Sequence, residues 1–599
     1  MNFGDIYEMF TNFETEINSF NGVNCNVLDI NNSTNNTISD DPYQLTTFVD
    51  SNSQSIDYWE GTLGADIFTL AAGYDLTVIS GNGNIEFGSG YYDLLDLSNL
   101  SAEEVIDYSF ADASGGGVIF DSGNGSTIFD YLALNDGSEI LFEGIDGIIF
   151  SDSTVDLTVV PDDPLFGSQW NLHMMGVHNA WRFTTGSDDV LIGVQDSGLG
   201  VDANGYIHPE LNDNTLYYAD NIADEFFREV PGDSYQRNSS HGTCVQGIIA
   251  AASNNGLGIS GINWNSDVLS IDIDIDNNYG DLTVFDATQS MIDYANSQAQ
   301  YLVVNMSFGG GSIDPYFEQL VANNQNDTLF VIATGNESNN VINNPASLAR
   351  AYDNVIAVGA CLQDGTRASY SNYGEGITLM CPAVVLTTAA TPNLQSGYVD
   401  FDYDYSFEGT SAATPNLAGV ASLVWSVNPN LSAAQVKEIL SETAYDLGVE
   451  GYDYEYGYGF VDADAAVRQA LAWNWLSANS TTNGDLSDRK YSAEIADGNI
   501  LIDNFSLNAL GDRNQIKSLG RADSTREILA NIDYSSNNDL DDLDDNRGVT
   551  NEVWKLSQSD DSVDYDIDIK DLSWFSAHEV IVLPFENLLD SELVDDLAG

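Results

Sequence analysis

Basic residues are scarce in this chain. Lys and Arg together number 16 among 599 residues, against 93 Asp plus Glu, for a formal net charge of −77. Nucleic acid and anionic membranes both bind basic surface, so neither is an expected partner. The same charge favours solubility at high salt, draws divalent cations and basic peptides, and suits a saline or extracellular setting. Cysteine is also rare: Cys25, Cys244, Cys361 and Cys381 are too few for a disulfide framework. Cys361 and Cys381 each end an apolar run and could pair, whereas Cys244 reads as a small buried thiol. No stretch reaches the ~18 apolar residues of a membrane-spanning helix. Met1-Asn2-Phe3-Gly4-Asp5 lacks a basic n-region and an apolar h-region, so no cleavable signal peptide is expected. Histidine numbers five, which leaves few side chains for acid–base work at neutral pH.

What is present has an uneven texture. The length exceeds one hydrophobic core, so several domains are expected. Residues 1–55 are polar and rich in Asn, Asp and Thr. Over 56–160, Gly and Asp punctuate short aliphatic runs. Asp66, Asp75, Asn84 and Asp93 recur every nine residues, and each precedes an aliphatic residue. Over 161–475 strand-like and helix-like runs alternate, which predicts an α/β fold: a parallel sheet covered by helices on both faces. Residues 476–599 form a smaller acidic C-terminal domain that includes the run Asp539 to Asp545.

Chemistry concentrates in the α/β region. Val190-Leu191-Ile192-Gly193-Val194 is a buried strand that runs into Asp196. His241-Gly242-Thr243 opens a helix pattern, and Gly409-Thr410-Ser411-Ala412-Ala413-Thr414-Pro415 opens another. Small neighbours expose the Ser411 hydroxyl, and a helix N-terminus favours a developing anion there. His241 is the base, and a buried Asp196 fixes its tautomer. The apolar strand Phe330-Val331-Ile332-Ala333 ends in Thr334-Gly335-Asn336, whose amide is placed to donate to an oxyanion. Ser307, Gly309 and Gly310 follow another buried strand and offer an open edge on which an extended polypeptide substrate pairs.

The order Asp, His, Ser together with these flanking residues resembles the subtilase family of serine endopeptidases over about 310 residues. The resemblance implies a subtilisin-like fold and peptide-bond hydrolysis through Asp196, His241, Ser411 and Asn336. Asp163-Pro164-Leu165-Phe166, Gln169-Trp170-Asn171-Leu172, His208-Pro209-Glu210-Leu211 and Gly457-Tyr458-Gly459 lean toward the kexin/furin branch and its bacterial relatives. Ser197 departs from that branch, standing where its members carry a second Asp. The family implies structural Ca2+, with the loop at Asn254 and Asn255 as a candidate site.

The nine-residue period resembles the calcium-binding β-roll of RTX proteins, with Asp66, Asp75 and Asp93 as candidate ligands. A degenerate roll, no visible signal peptide and an acidic–aliphatic end, Leu588 to Leu597, together suggest type I secretion to the extracellular medium or cell surface. The competing expectation is a non-catalytic calcium-binding surface protein that carries a silent subtilase fold.

Overall fold

Continuous apolar runs give strands buried on both faces, and a computed structural model of the chain shows how they assemble. It describes residues 55–70, 75–121, 125–204, 206–216, 239–273, 283–393 and 398–479, and the backbone of 43–49, 531–533, 553–557 and 565–568. The acidic run 539–545 and the end 588–597 lie outside the described residues.

Residues 43–157 build two stacked sheets. The strands are β1 (Tyr43–Val49), β2 (Ser55–Glu60), β3 (Ile67–Thr69), β4 (Leu76–Ser80), β5 (Leu94–Leu97), β6 (Val105–Ser109), β7 (Val118–Asp121), β8 (Ser126–Leu134), β9 (Glu139–Glu143), β10 (Gly147–Phe150) and β11 (Thr154–Asp156). One sheet has the order β1-β2-β4-β9-β8-β6, with β7 paired to β8; the other is β11-β10-β5-β3. Ile79, Leu95, Leu132, Ile140, Phe142 and Ile148 fill one core of this region. Parallel pairing joins Ile56 to Leu76 and Ile67 to Leu94, so the register does not advance by a constant multiple of nine.

The second body carries a six-stranded parallel sheet: β12 (Val190–Asp196), β13 (Val268–Asp272), β14 (Tyr301–Met306), β15 (Thr328–Ala333), β16 (Val355–Cys361) and β17 (Leu379–Pro382). Their order is β13-β12-β14-β15-β16-β17, and every pairing is parallel. The hairpin β18 (Val385–Asn393) and β19 (Tyr398–Phe407) stands beside it. The helices are α1 (Trp170–Met174), α2 (Val177–Ala180), α3 (Ser239–Ala250), α4 (Val284–Gln298), α5 (Pro315–Asn323), α6 (Thr410–Val427), α7 (Ala433–Glu442) and α8 (Ala463–Asn479). Local signals set their starts. Thr283 and Asp314 cap α4 and α5, and Ser432 with Gln435 forms a reciprocal capping box on α7. Such caps are each worth about 1 kcal/mol.

The Gly/Asp-rich sheets and the α/β body do not keep separate cores. Phe87, Ala111, Ile119 and Ile128 from the first pack in one apolar cluster with Phe166, Leu172, Trp181 and Phe183 of the second. Residues 1–506 accordingly form one compact unit. The unit from 507 to 599 contains a three-stranded antiparallel sheet, β20 (Asn531–Asp533), β21 (Val553–Ser557) and β22 (Tyr565–Asp568). Cys361 and Cys381 are both buried free thiols, each pushed upward in pKa by burial. Among the described residues, no helix is long and apolar enough to cross a membrane.

Candidate active site

The chain passes from β12 to β13 on one side, then returns to β14 on the other. Such a reversal opens a crevice beyond the strand C-termini. Asp196 ends β12 at this crevice, and Ser307 follows β14 directly. The Asp196 side chain is 1% exposed. Its Oδ1 accepts the Ser197 N–H at 2.8 Å and the His241 Nδ1–H at 2.7 Å. His241 enters from the first turn of α3. A side chain at Gly242 would place its Cβ 2.1 Å from the Gly198 carbonyl oxygen, so only glycine lets this helix start lie on the turn after Asp196.

The carboxylate bond settles the imidazole chemistry. With Nδ1–H donated to Asp196, Nε2 carries the lone pair. The ring remains 35% exposed, reachable by a substrate. Burial pulls the His241 pKa down. The Asp196 charge and hydrogen bond outweigh that and hold it above the ordinary 6.5.

Ser411 is the second residue of α6, at the positive end of its dipole. Pro415 lies four residues on and has no N–H, so it leaves the Ser411 carbonyl without its helical partner. Ser307 fills the vacancy: its Oγ donates to the Ser411 carbonyl at 3.0 Å, and the Ser411 Oγ donates to the Ser307 carbonyl at 2.9 Å. Two reciprocal bonds therefore tie the end of β14 to the serine.

Asn336 comes off the end of β15. Its Oδ1 accepts the Thr410 N–H at 2.9 Å and the Thr410 Oγ1–H at 3.0 Å. The Thr410 Oγ1 in turn accepts the buried Gly335 N–H at 3.3 Å. Oδ1 is thus held at two points, and the Asn336 side chain is exposed.

The remaining expected residues divide. Ser307 is hydrogen-bonded to Ser411, Gly309 and Gly310 follow it in the loop after β14, and the Gly310 N–H is taken by the Asn344 carbonyl at 2.7 Å. The candidate calcium residues are not gathered into a site. Asp75 is exposed at the start of β4, in a different sheet from β3 and β5. Asp66 accepts the Thr62 N–H at 2.6 Å, Asp93 accepts the Asp66 N–H at 2.7 Å, and Asp146 accepts the Asp93 N–H at 2.9 Å. These carboxyls form a ladder that caps main-chain amides. Burial, with Asp146 and Asp66 nearby, holds Asp93 well above the usual carboxylate range. Asn254 and Asn255 donate main-chain N–H groups to the Asp163 carboxylate at 2.8 and 3.0 Å, and their side-chain Oδ1 atoms accept the Asp162 and Leu257 N–H groups at 3.2 and 2.8 Å. Among the described residues, no three His, Cys, Asp or Glu side chains form a metal-binding group.

Two contacts were not foreseen. Phe407, at the end of β19, meets the His241 ring edge to face with centroids 5.3 Å apart. Thr410 sits inside the motif that points to Ser411, but its bond to Asn336 spans 74 residues and leaves no local trace.

Residues 187–459 match the Subtilase family. Subtilisin BL of Lederbergia lenta is 34% identical over 293 residues, which cover 49% of this chain and 94% of that relative. This chain belongs to the subtilase family. Two further subtilase relatives are the halolysin-like extracellular serine protease Nep of Natrialba magadii and an extracellular protease of Xanthomonas campestris pv. campestris. The first is 34% identical over 320 residues and the second 32% over 374. The matches span 54% and 62% of those relatives' lengths and 53% and 56% of this chain. The family rests on the match to Subtilisin BL, and none of these matches carries the leaning toward kexins and furins.

Proposed function

We propose that this subtilase is a serine endopeptidase that cleaves polypeptides outside the cell. The observation that carries the reading is the 2.7 Å Asp196–His241 bond, which leaves Nε2 as acceptor, in a chain whose Ser411 stands in the first turn of a helix. The Ser411 hydroxyl swings from the Ser307 carbonyl toward Nε2, gives up its proton, and Oγ attacks the peptide carbonyl. The Asn336 Nδ2–H and the α6 N-terminus steady the oxyanion. His241 then protonates the leaving amine, and water releases the acyl-enzyme by the same steps. Substrate lies extended along Ser307, Gly309 and Gly310.

The relatives' names support an extracellular setting, as does the acidic composition. Export by a type I route rests on the acidic–aliphatic run Leu588 to Leu597; loss of export on removing that run tests it. A calcium requirement rests on family resemblance alone, and no catalytic step depends on it.

The deciding experiment is labelling by a fluorophosphonate together with casein cleavage. Wild type labels and cleaves, and Ser411→Ala does neither. Cleavage by purified Ser411→Ala refutes the assignment, and an unlabelled wild type favours the silent-fold alternative.

A further inference from the structure

We infer that residues 55–157 are a permanent, non-covalently locked partner of the peptidase body, and not a segment released when the connection to it is cut. This rests on packing alone and holds whether or not Ser411 is reactive.

The seam is built like an interior. Arg468 of α8 is fully buried. Its Nε donates to Asp464 Oδ2 at 2.7 Å, its Nη1 to the Ile128 carbonyl at 3.0 Å, and its Nη2 to Asp130 Oδ2 at 3.0 Å. Arg182, just after α2, reaches the same Asp130 with two bonds of 2.9 and 3.0 Å, and the Ala111 carbonyl at 2.7 Å. Asp130 and Ile128 belong to β8, whereas both arginines belong to the peptidase body. Beside them the Asp464 carboxylate accepts the Gly144 N–H at 3.1 Å, and His178 Nε2 meets Asp146 Oδ1 at 2.9 Å. Asn84 and Ala113 donate main-chain bonds to the His173 and Arg182 carbonyls. A Cβ on Gly83 would sit 1.9 Å from the Met174 carbonyl oxygen, so backbone lies against backbone.

Separation would break the five hydrogen bonds that Arg182 and Arg468 make to Asp130 and to the Ala111 and Ile128 carbonyls. It would also open the shared cluster at Phe87, Ala111, Ile119 and Ile128. Chains spend few of their cations this way: two of only 16 basic residues are committed to the seam. The seam falls on α1, α2 and α8, whereas Asp196, His241, Asn336 and Ser411 are carried by β12, α3, the end of β15 and α6. The seam and these four residues are thus carried by different elements.

The test clips the full chain instead of truncating it. A site-specific protease sequence is inserted after Val160, which is 57% exposed, in a Ser411→Ala background that prevents self-cleavage. After complete cutting, the two fragments are expected to co-elute on size exclusion at pH 7 and to part only in denaturant. Separation of the fragments in native buffer overturns the inference. A second arm measures the urea concentration at which the clipped fragment leaves. Asp130→Asn is expected to lower that midpoint, and Asp107→Asn, an exposed control in the same sheet, to leave it in place. Equal midpoints for the two variants would overturn the ionic lock.

Discussion

Replacing Asn336 by Leu removes the side-chain donor proposed for the oxyanion and keeps the size of the residue. Removal of a single oxyanion-hole donor costs about 10²–10³ in kcat, or ~2.7–4 kcal/mol, a figure taken from the corresponding asparagine in subtilisin. The same range is expected here in kcat, with KM little changed, because the bond exists only once charge has moved onto oxygen. The structure adds a second term. Thr410 holds Asn336 Oδ1 through both its N–H and its hydroxyl, so Thr410→Val cuts one of two guides. A neutral hydrogen bond is worth about 0.5–1.5 kcal/mol, which converts to roughly 2- to 12-fold in kcat. If that loss acts through Asn336, Thr410→Val should change kcat by less than about 2-fold when Leu already stands at 336. Steady-state kinetics on a chromogenic peptide for wild type, both singles and the double variant closes the cycle. Equal losses in both backgrounds would refute the orienting role, and an unaffected Asn336→Leu would remove Asn336 from the site.

Three further outcomes follow from the same geometry. His241 works as a neutral base, and its pKa is raised by Asp196 against the pull of burial, so the acid limb of kcat/KM should fall above pH 6.5. Asp196→Asn should shift that limb to lower pH as well as slow the reaction; an unmoved limb would disconnect the pair. Burial raises the pKa of Glu143, and the Asp462 and Asp464 carboxylates raise it further, against Arg468 and a Ser80 hydrogen bond. The folded carboxyl thus keeps a proton that the unfolded one loses, and stability falls as pH rises from the ordinary carboxylate range through the raised one. Glu143→Gln should flatten that fall and stabilise by on the order of 1–2 kcal/mol at pH 8, with less effect near pH 5, read by urea unfolding. Finally, Asp66→Asn and Asp93→Asn should leave any calcium dependence of Tm unchanged, since both carboxyls serve amides; a lost dependence would restore the metal reading.

Much of this was legible from residues alone, for a physical reason. Asp196, His241, Ser411 and Asn336 each stand at the end of an apolar strand or the start of a helix, and those transitions are written in short-range pattern and small neighbours. So are the parallel sheet, whose strands stay apolar on both faces, and the capping box of Ser432 and Gln435. What only tertiary structure decided was pairing between distant positions. The nine-residue spacing of Asp66, Asp75 and Asp93 placed carboxyls at turn after turn. Which groups such a carboxyl meets depends on which strand lies next to it, and the register joining Ile67 to Leu94 brings the Asp66 N–H onto the Asp93 carboxylate. Thr410 with Asn336, Phe407 with His241, and Arg468 with Asp130 are separated by 74, 166 and 338 residues. No local preference encodes such partners, because each bond is created by the sheet order and core packing that bring the two chain segments together.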